Sequence, residues 1–313
     1  MEENSFQVTE GNPLVSIIVI TYNSSKYVLE TLESAKAQTY KNIELIVSDD
    51  CSTDNTVEIC RKWIEENKER FVRTELITFE RNTGIAPNCN RGLFAAQGEW
   101  VKYIAGDDIL LNNCIEDFVR FIETTPECKI VFGKQKILVN GKIIEQDIPK
   151  FFKVDKEKQF EMVYTGSSIP APANFIKRNL LLKVKGFDED YPFIEDVPMW
   201  IKIANEGEFF YSLDMFVVVY RLHDENINRS SSTQFINKLF YYSKKKHIIN
   251  HIIPYLKNKK KYFLLFHIYN NIFVSDVIVM TGNRNNFLSI LLNLMIFKST
   301  VKRAHNLIKK LFI

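Results

Sequence analysis

The chain has 313 residues, 46% of them hydrophobic and 25% charged, which is the composition of a soluble globular protein with core enough for about two domains and not of a disordered or fibrous one. Five widely spaced cysteines (Cys51, Cys60, Cys89, Cys114, Cys128) with no CxxC exclude a disulfide frame or a zinc site and point to free thiols in a reducing compartment. The net charge of +3 hides a division: residues 233–313 carry fourteen Lys or Arg against one acid, Asp276, whereas residues 1–232 carry 27 basic and 37 acidic side chains, so two modules with different partners are expected.

The acidic, polar opening over residues 1–12 reads as a tail and not as a signal peptide. Pro13 then introduces LVSIIVITYN, a β-branched run of the kind a strand covered on both faces requires. SSKYVLETLESAKAQ follows with Val28, Leu29, Leu32 and Ala35 at helical spacing and Ser24 or Ser25 as cap. NIELIVSDD is the second strand. STDNTVEICRKWIEENKER is the second helix, opened by Ser52 or Asp54, with Val57, Cys60, Trp63 and Ile64 on one face. VRTELITFE, APNCNRGLFAA and EWVKYIA then read as strand, helix and strand. Alternation of this kind predicts an α/β protein with a mostly parallel sheet flanked by helices. Farther on, ILVNGKII reads as a hairpin turning at Asn140-Gly141.

Ligands of such sheets bind beyond the carboxyl ends of the strands. Three of those ends are polar here: Thr21-Tyr22-Asn23, Ser48-Asp49-Asp50 and Gly106-Asp107-Asp108. Adjacent carboxylates repel, so the last pair is either a turn in which an Asp caps the next helix or an anchor for a cation. No GxGxxG follows the first strand and no GxxxxGK[ST] occurs, so a phosphate must be held another way, and carboxylates with a divalent cation are the usual means.

Three separated stretches, PLVSIIVITYNSSKYVLETLESAKAQTYKNIELIVSDDCSTDNT, NTGIAPNCNRGLFAAQGEWVKYIAGDDIL and GFDEDYPFIEDVPMWIKIANEG, resemble an inverting GT-A glycosyltransferase of family 2, over roughly residues 13–225. The resemblance implies a GT-A catalytic domain over residues 13–232 and assigns roles. Thr21, Tyr22 and Asn23 fall where the family contacts the nucleotide, and Asp50 where it hydrogen-bonds uracil. Asp107 and Asp108 match the metal-site acids, the second holding Mn2+ or Mg2+ and the first approaching ribose or metal-bound water. Relatives often read Asp-x-Asp-Asp, whereas this chain has Ala105-Gly106-Asp107-Asp108, so one protein ligand is missing and the cation should lean more on diphosphate and water.

Inversion needs a base for the acceptor hydroxyl. Glu195 and Asp196 open a helix with Pro198 in its first turn, where acids also serve the helix dipole. By resemblance Asp196 is the base and Glu195 shapes the acceptor pocket. In VVVYRLHDENIN, His223 resembles a metal or phosphate ligand and Arg221 its electrostatic partner in nucleotide binding, although a lone histidine at a strand end is often a plain surface residue. Arg81 and Asn82 are further candidates for the nucleotide rim.

Residues 233–313 read as a basic, amphipathic helical region of about three helices. YFLLFHIYNNIFVSDVIVM is apolar on nearly all sides, but Asn270, Asn271 and Asp276 argue against spanning a bilayer, and no uninterrupted run of about 18 apolar residues predicts a transmembrane helix. FLSILLNLMIF is too short to span, and KSTVKRAHNLIKKLFI alternates apolar and basic positions. The region is either a helical cap or a peripheral membrane surface with lysines on anionic headgroups; nucleic acid is excluded for want of stacking platforms. The expected enzyme transfers a sugar from a nucleotide sugar, UDP-linked, to a glycan or lipid-linked glycan of the O-antigen or capsule type, at the inner face of the cell membrane. Transfer to polyprenyl phosphate itself, or a non-catalytic assembly role with a vestigial site, are the alternatives.

Overall fold

The structure is a computed structural model, and it describes residues 12–166, 169–223 and 236–284. The predicted tail over 1–11 and the readings of FLSILLNLMIF and KSTVKRAHNLIKKLFI lie outside the described residues. The chain divides into two units, Met1–Leu222 and His223–Ile313, where sequence placed the boundary at 232/233.

In the first unit the predicted alternation is present: β1 (Val15–Thr21), α1 (Val28–Lys36), β2 (Ile43–Asp49), α2 (Thr56–Asn67), β3 (Arg73–Thr78), α3 (Ile85–Ala95) and β4 (Trp100–Ala105). It continues with β5 (Ile109–Leu110), α4 (Cys114–Thr124), β6 (Ile130–Val139), β7 (Lys142–Gln146), α5 (Lys156–Thr165), β8 (Asn174–Lys177), α6 (Arg178–Lys183), α7 (Asp196–Asn205) and β9 (Tyr211–Leu222). The strands form one sheet in the order β3-β2-β1-β4-β8-β6-β9-β5, with β7 beside β6. The β3-β2-β1-β4 half is parallel, as its apolar runs require. Beyond β4 the sheet is mixed: β8 is antiparallel to β4 and β6, β5 to β9 and β7 to β6, while β6 and β9 are parallel. Short or hairpin-linked strands bring in those antiparallel pairs; Asn140 and Gly141 turn the β6–β7 hairpin, both at positive φ.

Neither serine predicted to cap α1 does so. Tyr27 occupies the N-cap position without a side-chain bond, because Ser24 ends a preceding turn whose carbonyl takes the N–H groups of Tyr27 and Val28. At α2 the predicted Asp54 does bind the first turn, its Oδ1 accepting from the N–H of Thr56 at 3.0 Å. All five cysteines are free thiols, four of them buried.

The core lies along β1, β2 and β4, whose residues are nearly all buried. A second aromatic cluster seats α7: Trp200 stands edge-on to Phe132 with centroids 5.2 Å apart, and Phe210 completes the group. It fixes the helix that carries Asp196 at its first position.

The second unit contains α8 (Lys238–His247), α9 (Ile253–Asn258) and α10 (Tyr262–Met280), with a π-turn over residues 248–252 between the first two. Tyr241 and Lys245 of α8 both bind Asp276 of α10. By length and composition alone α10 is apolar enough to cross a membrane, with Asn270, Asn271 and Asp276 within it.

Candidate active site

Parallel register sets the polar strand ends side by side: Thr21 pairs with Asp49, Asp49 with Thr78, and Ile20 with Ala105. Thr21 is buried, its hydroxyl donating to Asp49 Oδ2 at 2.8 Å, so its side chain shapes the loop. Asn23 lies at φ 50° and Cys51 at φ 67°, two left-handed residues that bend the β1 and β2 loops toward each other. The Asn23 N–H donates to Ser52 Oγ, and Asn23 Oδ1 accepts from the Thr53 N–H, each at 2.8 Å. Tyr22 stands on this clamp 48% exposed, an open aromatic face at the rim.

Asp50 is buried with both oxygens occupied. Oδ2 accepts from the N–H groups of Thr83 (2.9 Å) and Gly84 (2.7 Å), and Oδ1 from the Thr83 hydroxyl (2.7 Å) and Arg91 Nη2 (2.5 Å). The carboxylate therefore ties the β2 end to the turn that opens α3. Gly84 must be glycine: φ is 99° and a Cβ would lie 2.4 Å from the Pro192 carbonyl oxygen. That oxygen accepts from the Ala86 N–H at 3.1 Å, so the start of α3 packs on the loop leading to Glu195 and Asp196. A cavity of about 540 Å³ lies alongside, lined by Phe79, Arg81, Asn82, Arg91, Phe94 and Glu189 among others. It includes the two candidate rim residues after β3 but neither Asp108 nor Asp196.

The third strand end is the most charged. Gly106 brings the β4 loop so close to β1 that a Cβ there would meet Thr21 Cγ2 at 2.8 Å. Two residues on, Asp108 is 1% exposed. β5 follows it at once and pairs Ile109 with Val219, which sets Asp108 against the end of β9. The Arg221 N–H donates to Asp108 Oδ1 at 2.8 Å, Arg221 Nε donates to the Asp107 carbonyl at 2.8 Å, and Nη2 pairs with Glu30 at 2.6 Å. The guanidinium also lies over the Tyr27 ring, 4.6 Å from its centroid. Asp108 Oδ2 is buried with no hydrogen-bond partner. Burial first, then the Asp107 carboxylate, push Asp108 well above the usual carboxylate range, against the pull of the Arg221 N–H and Lys102.

A buried carboxylate oxygen without a donor fits a hard divalent cation, which carboxylate oxygens bind. Among the described residues no three His, Cys, Asp or Glu side chains stand close enough to hold one by themselves, consistent with the acid missing at Ala105. His223, half-buried, directly follows β9 and is the first residue of the second unit.

Glu195 is the N-cap residue of α7 and Asp196 its first residue, with Asp196 Oδ1 accepting from the Val197 N–H at 2.7 Å. Both are half-buried. Burial and then Asp196 push Glu195 above its usual range, so it holds its proton near neutrality. The Cys89 thiol on α3 is raised by burial and then by the Glu195 carboxylate, with Asp50 acting in the same direction, which places Glu195 within electrostatic reach of the Asp50 corner.

Four residues that carry this arrangement escaped sequence reading. Asn88 donates to the carbonyls of Thr21 and Ser48 and accepts from Ser48 Oγ, joining both strand ends to α3. Asn90 holds Phe187 through both its N–H and carbonyl and donates to Glu189. Arg91 locks Asp50. Lys102, fully buried on β4, donates to the carbonyls of Tyr103 and Pro172. The available signal was polar residues on the inner face of APNCNRG and inside a buried strand, which demand partners.

A mixed sheet whose parallel strand ends carry paired acids, beside an acid-headed helix, is the arrangement of a GT-A-type fold. The model of the family described as "Glycosyl transferase family 2" matches residues 16–182, and the chain belongs to that family; it is a glycosyltransferase. Its relatives include the Escherichia coli "UDP-Glc:alpha-D-GlcNAc-diphosphoundecaprenol beta-1,3-glucosyltransferase WfaP", 27% identical over 72% of this chain and 84% of that one. Another is the "Putative teichuronic acid biosynthesis glycosyltransferase TuaG" of Bacillus subtilis, 25% identical over 71% and 84%. Among solved structures, Staphylococcus aureus TarS 1–349 in complex with UDP-GlcNAc matches with TM-score 0.59 and 25% identity, over 75% of this chain and 65% of that one. WfaP is named for glucosyl transfer to a diphosphoundecaprenol-linked sugar, and TuaG for teichuronic acid biosynthesis.

Proposed function

We propose that the enzyme is a cation-dependent inverting transferase that moves one sugar from a UDP-linked donor to a glycan or polyprenyl-diphosphate-linked glycan in O-antigen or capsule synthesis. The observation that carries it is the buried, unpartnered Asp108 Oδ2 at the strand end, an acceptor that a bound cation would satisfy. UDP and the lipid-linked acceptor are supported by the names of WfaP and of the TarS complex. In this reading the nucleotide lies along Tyr22, Asn23, Asp107 and Arg221, with Thr21 and Asp50 shaping its pocket. Asp108 holds Mn2+ or Mg2+, His223 being a further ligand.

When bound, the cation neutralises the charge that builds on the departing diphosphate. The chain's own residues supply the rest. The acceptor oxygen attacks the anomeric carbon as the bond from that carbon to the phosphate oxygen breaks, and the electron pair leaves with the nucleotide. The acceptor proton passes to the Asp196 carboxylate. Glu195, its pKa raised by burial and then by Asp196, shapes the acceptor side of the pocket beside that base. Arg221, braced by Glu30 and Tyr27, holds the Asp107 carbonyl and the Asp108 carboxylate. A lipid-linked acceptor stays in the bilayer, and the basic second unit holds the enzyme peripherally at the cytoplasmic face of the membrane.

The test is to screen nucleotide sugars with Mn2+ by protection against thermal unfolding, then to incubate the best donor with lipid-linked acceptors and identify the product. A new glycosidic bond of inverted configuration is expected. Protection by no UDP-sugar, or sugar found on polyprenyl phosphate itself, would overturn the donor or the acceptor assignment respectively.

A further inference from the structure

The outermost face of α10 is apolar. Its most exposed residues are Tyr262 (67%), Phe263 (65%), Phe266 (57%), Tyr269 (47%), Phe273 (67%) and Met280 (85%). Tyr262, Phe266, Tyr269, Phe273 and Met280 are spaced four, three, four and seven apart, one stripe of an α-helix. Its polar residues are only half-exposed: Asn270 lies on a flank, Asn271 and Ser275 on the opposite side, and Asp276, which the spacing puts between Phe273 and Met280, is engaged by Tyr241 and Lys245. A helix facing water places such residues outermost, so here the pattern is inverted. The inversion is unreadable in sequence, where α10 is apolar all round.

We infer that this stripe is a membrane-docking face that lies flat in the headgroup region of an anionic leaflet. The argument for that occupant is charge. Lys257, Lys259, Lys260 and Lys261 are all exposed directly before Tyr262, at the end of the helix where the stripe begins. The single acid of the described residues of this unit, Asp276, is paired with Lys245 at 2.7 Å and bonded to the Tyr241 hydroxyl at 2.8 Å. A cationic cluster continuous with an aromatic stripe matches negative headgroups above acyl chains. The same Asp276 contacts decide between lying and spanning. A spanning α10 would draw Asp276, Lys245 and the neighbouring Lys244 and Lys246 into hydrocarbon, where ionised groups are costly. A flat helix from Tyr262 to Met280 lays about 27 Å of apolar stripe along the surface, at 1.5 Å per residue. The inference rests on the proposed lipid-linked acceptor for its purpose and names the surface that brings the enzyme to it.

The experiment uses the full chain and vesicles of phosphatidylcholine with or without phosphatidylglycerol, read by co-sedimentation. Binding is expected only with phosphatidylglycerol. The double variant F273D/M280D should weaken it at least a hundredfold, since each lost apolar side chain removes about tenfold or more. Changing Lys257, Lys259 and Lys260 to Gln should weaken it about a hundredfold and flatten its salt dependence. Unchanged far-UV circular dichroism and an unchanged rise in melting temperature with UDP and Mn2+ confirm that both variants fold. Binding that survives F273D/M280D overturns the inference, as does cell-membrane protein that resists alkaline carbonate extraction, the mark of a spanning helix. A vesicle-indifferent dimer that F273D/M280D splits also overturns it, because a second copy then covers the stripe. Vesicle binding without any stabilisation by UDP and Mn2+ sinks the proposed UDP-linked donor and cation and leaves this inference standing.

Discussion

Replacing Asp108 with Asn should weaken the proposed cation site and stabilise the protein at once. The two carboxylate oxygens differ: Oδ1 accepts the Arg221 N–H, and Oδ2 is buried with no donor. An amide keeps the first bond and removes the buried charge. Because burial and Asp107 raise the Asp108 pKa above its unfolded value, the protonated fold is favoured. The stability this confers is complete below about pH 4 and is lost as pH rises through the folded pKa. Near neutrality the wild type therefore carries an ionisation cost that Asp108→Asn abolishes. The Nδ2 that replaces Oδ2 lacks an acceptor and returns part of that gain, so the melting temperature should rise by about 2–4 °C for each net kcal/mol in a unit of this size. The opposite effect falls on the cation. One unit charge pair at about 4 Å and an effective dielectric near 20 is worth ~4 kcal/mol, or about a thousandfold in affinity. Scanning fluorimetry with and without Mn2+ and UDP reads both. Wild type should gain stability from the pair of ligands, whereas Asp108→Asn should start higher and gain little. A variant that melts lower without ligand, yet responds fully to Mn2+ and UDP, would mean that Oδ2 serves the fold and not a cation.

Asp196→Asn should leave UDP-dependent stabilisation nearly intact and reduce transfer by a hundredfold or more; equal loss of both would make Asp196 structural. Gly84→Ala should destabilise by roughly 2–4 kcal/mol in urea unfolding, since a Cβ meets the Pro192 carbonyl at 2.4 Å and φ is 99°. Asn90→Ala frees the Phe187 N–H and carbonyl and should cost about 2–4 kcal/mol, loosening the loop before Glu195; transfer should fall more steeply than UDP binding. Lys102, held down to about 8 by burial, is less protonated folded than unfolded between pH 8 and 10.5. Relative to Lys102→Met, the wild type should therefore gain up to about 3 kcal/mol of stability across that window as pH rises, and a flat difference would contradict the buried ammonium.

The parallel half of the sheet was legible because each strand is a continuous apolar run and each helix a periodic one, a pattern that survives without tertiary context. That the strand-end acids gather at one edge was legible for the same reason, since parallel strands in register set their ends side by side. What the acids do was less legible. Asp49 and Asp50 are adjacent in sequence, yet one binds Thr21 and Ser52 across the β1 loop and the other closes the Thr83–Gly84 turn. Periodicity cannot distinguish them, since each partner lies at least 28 residues away or in a turn of unpredicted geometry. Of the antiparallel half the β6–β7 hairpin was legible, but β5 is two residues long and β8 four, below what any pattern detects.

The strap over residues 170–173 shows how the two halves were joined out of sequence's sight. Lys102 sits in WVKYIA, where a lysine inside a buried strand reads as a blemish. Its Nζ donates to the Tyr103 and Pro172 carbonyls, so the strand beside β1 carries its own clamp for the chain that enters β8. That clamp has an electrostatic consequence at the site, for Lys102 is one of the groups that lower the Asp108 pKa. A cationic side chain near a carboxylate offsets part of its burial cost without bonding its second oxygen, and Oδ2 stays buried and unpartnered. Replacing Lys102 with Met should thus raise the Asp108 pKa further and shift the onset of Mn2+-dependent stabilisation by UDP to higher pH. An onset that does not move would show that the lysine serves the strap alone.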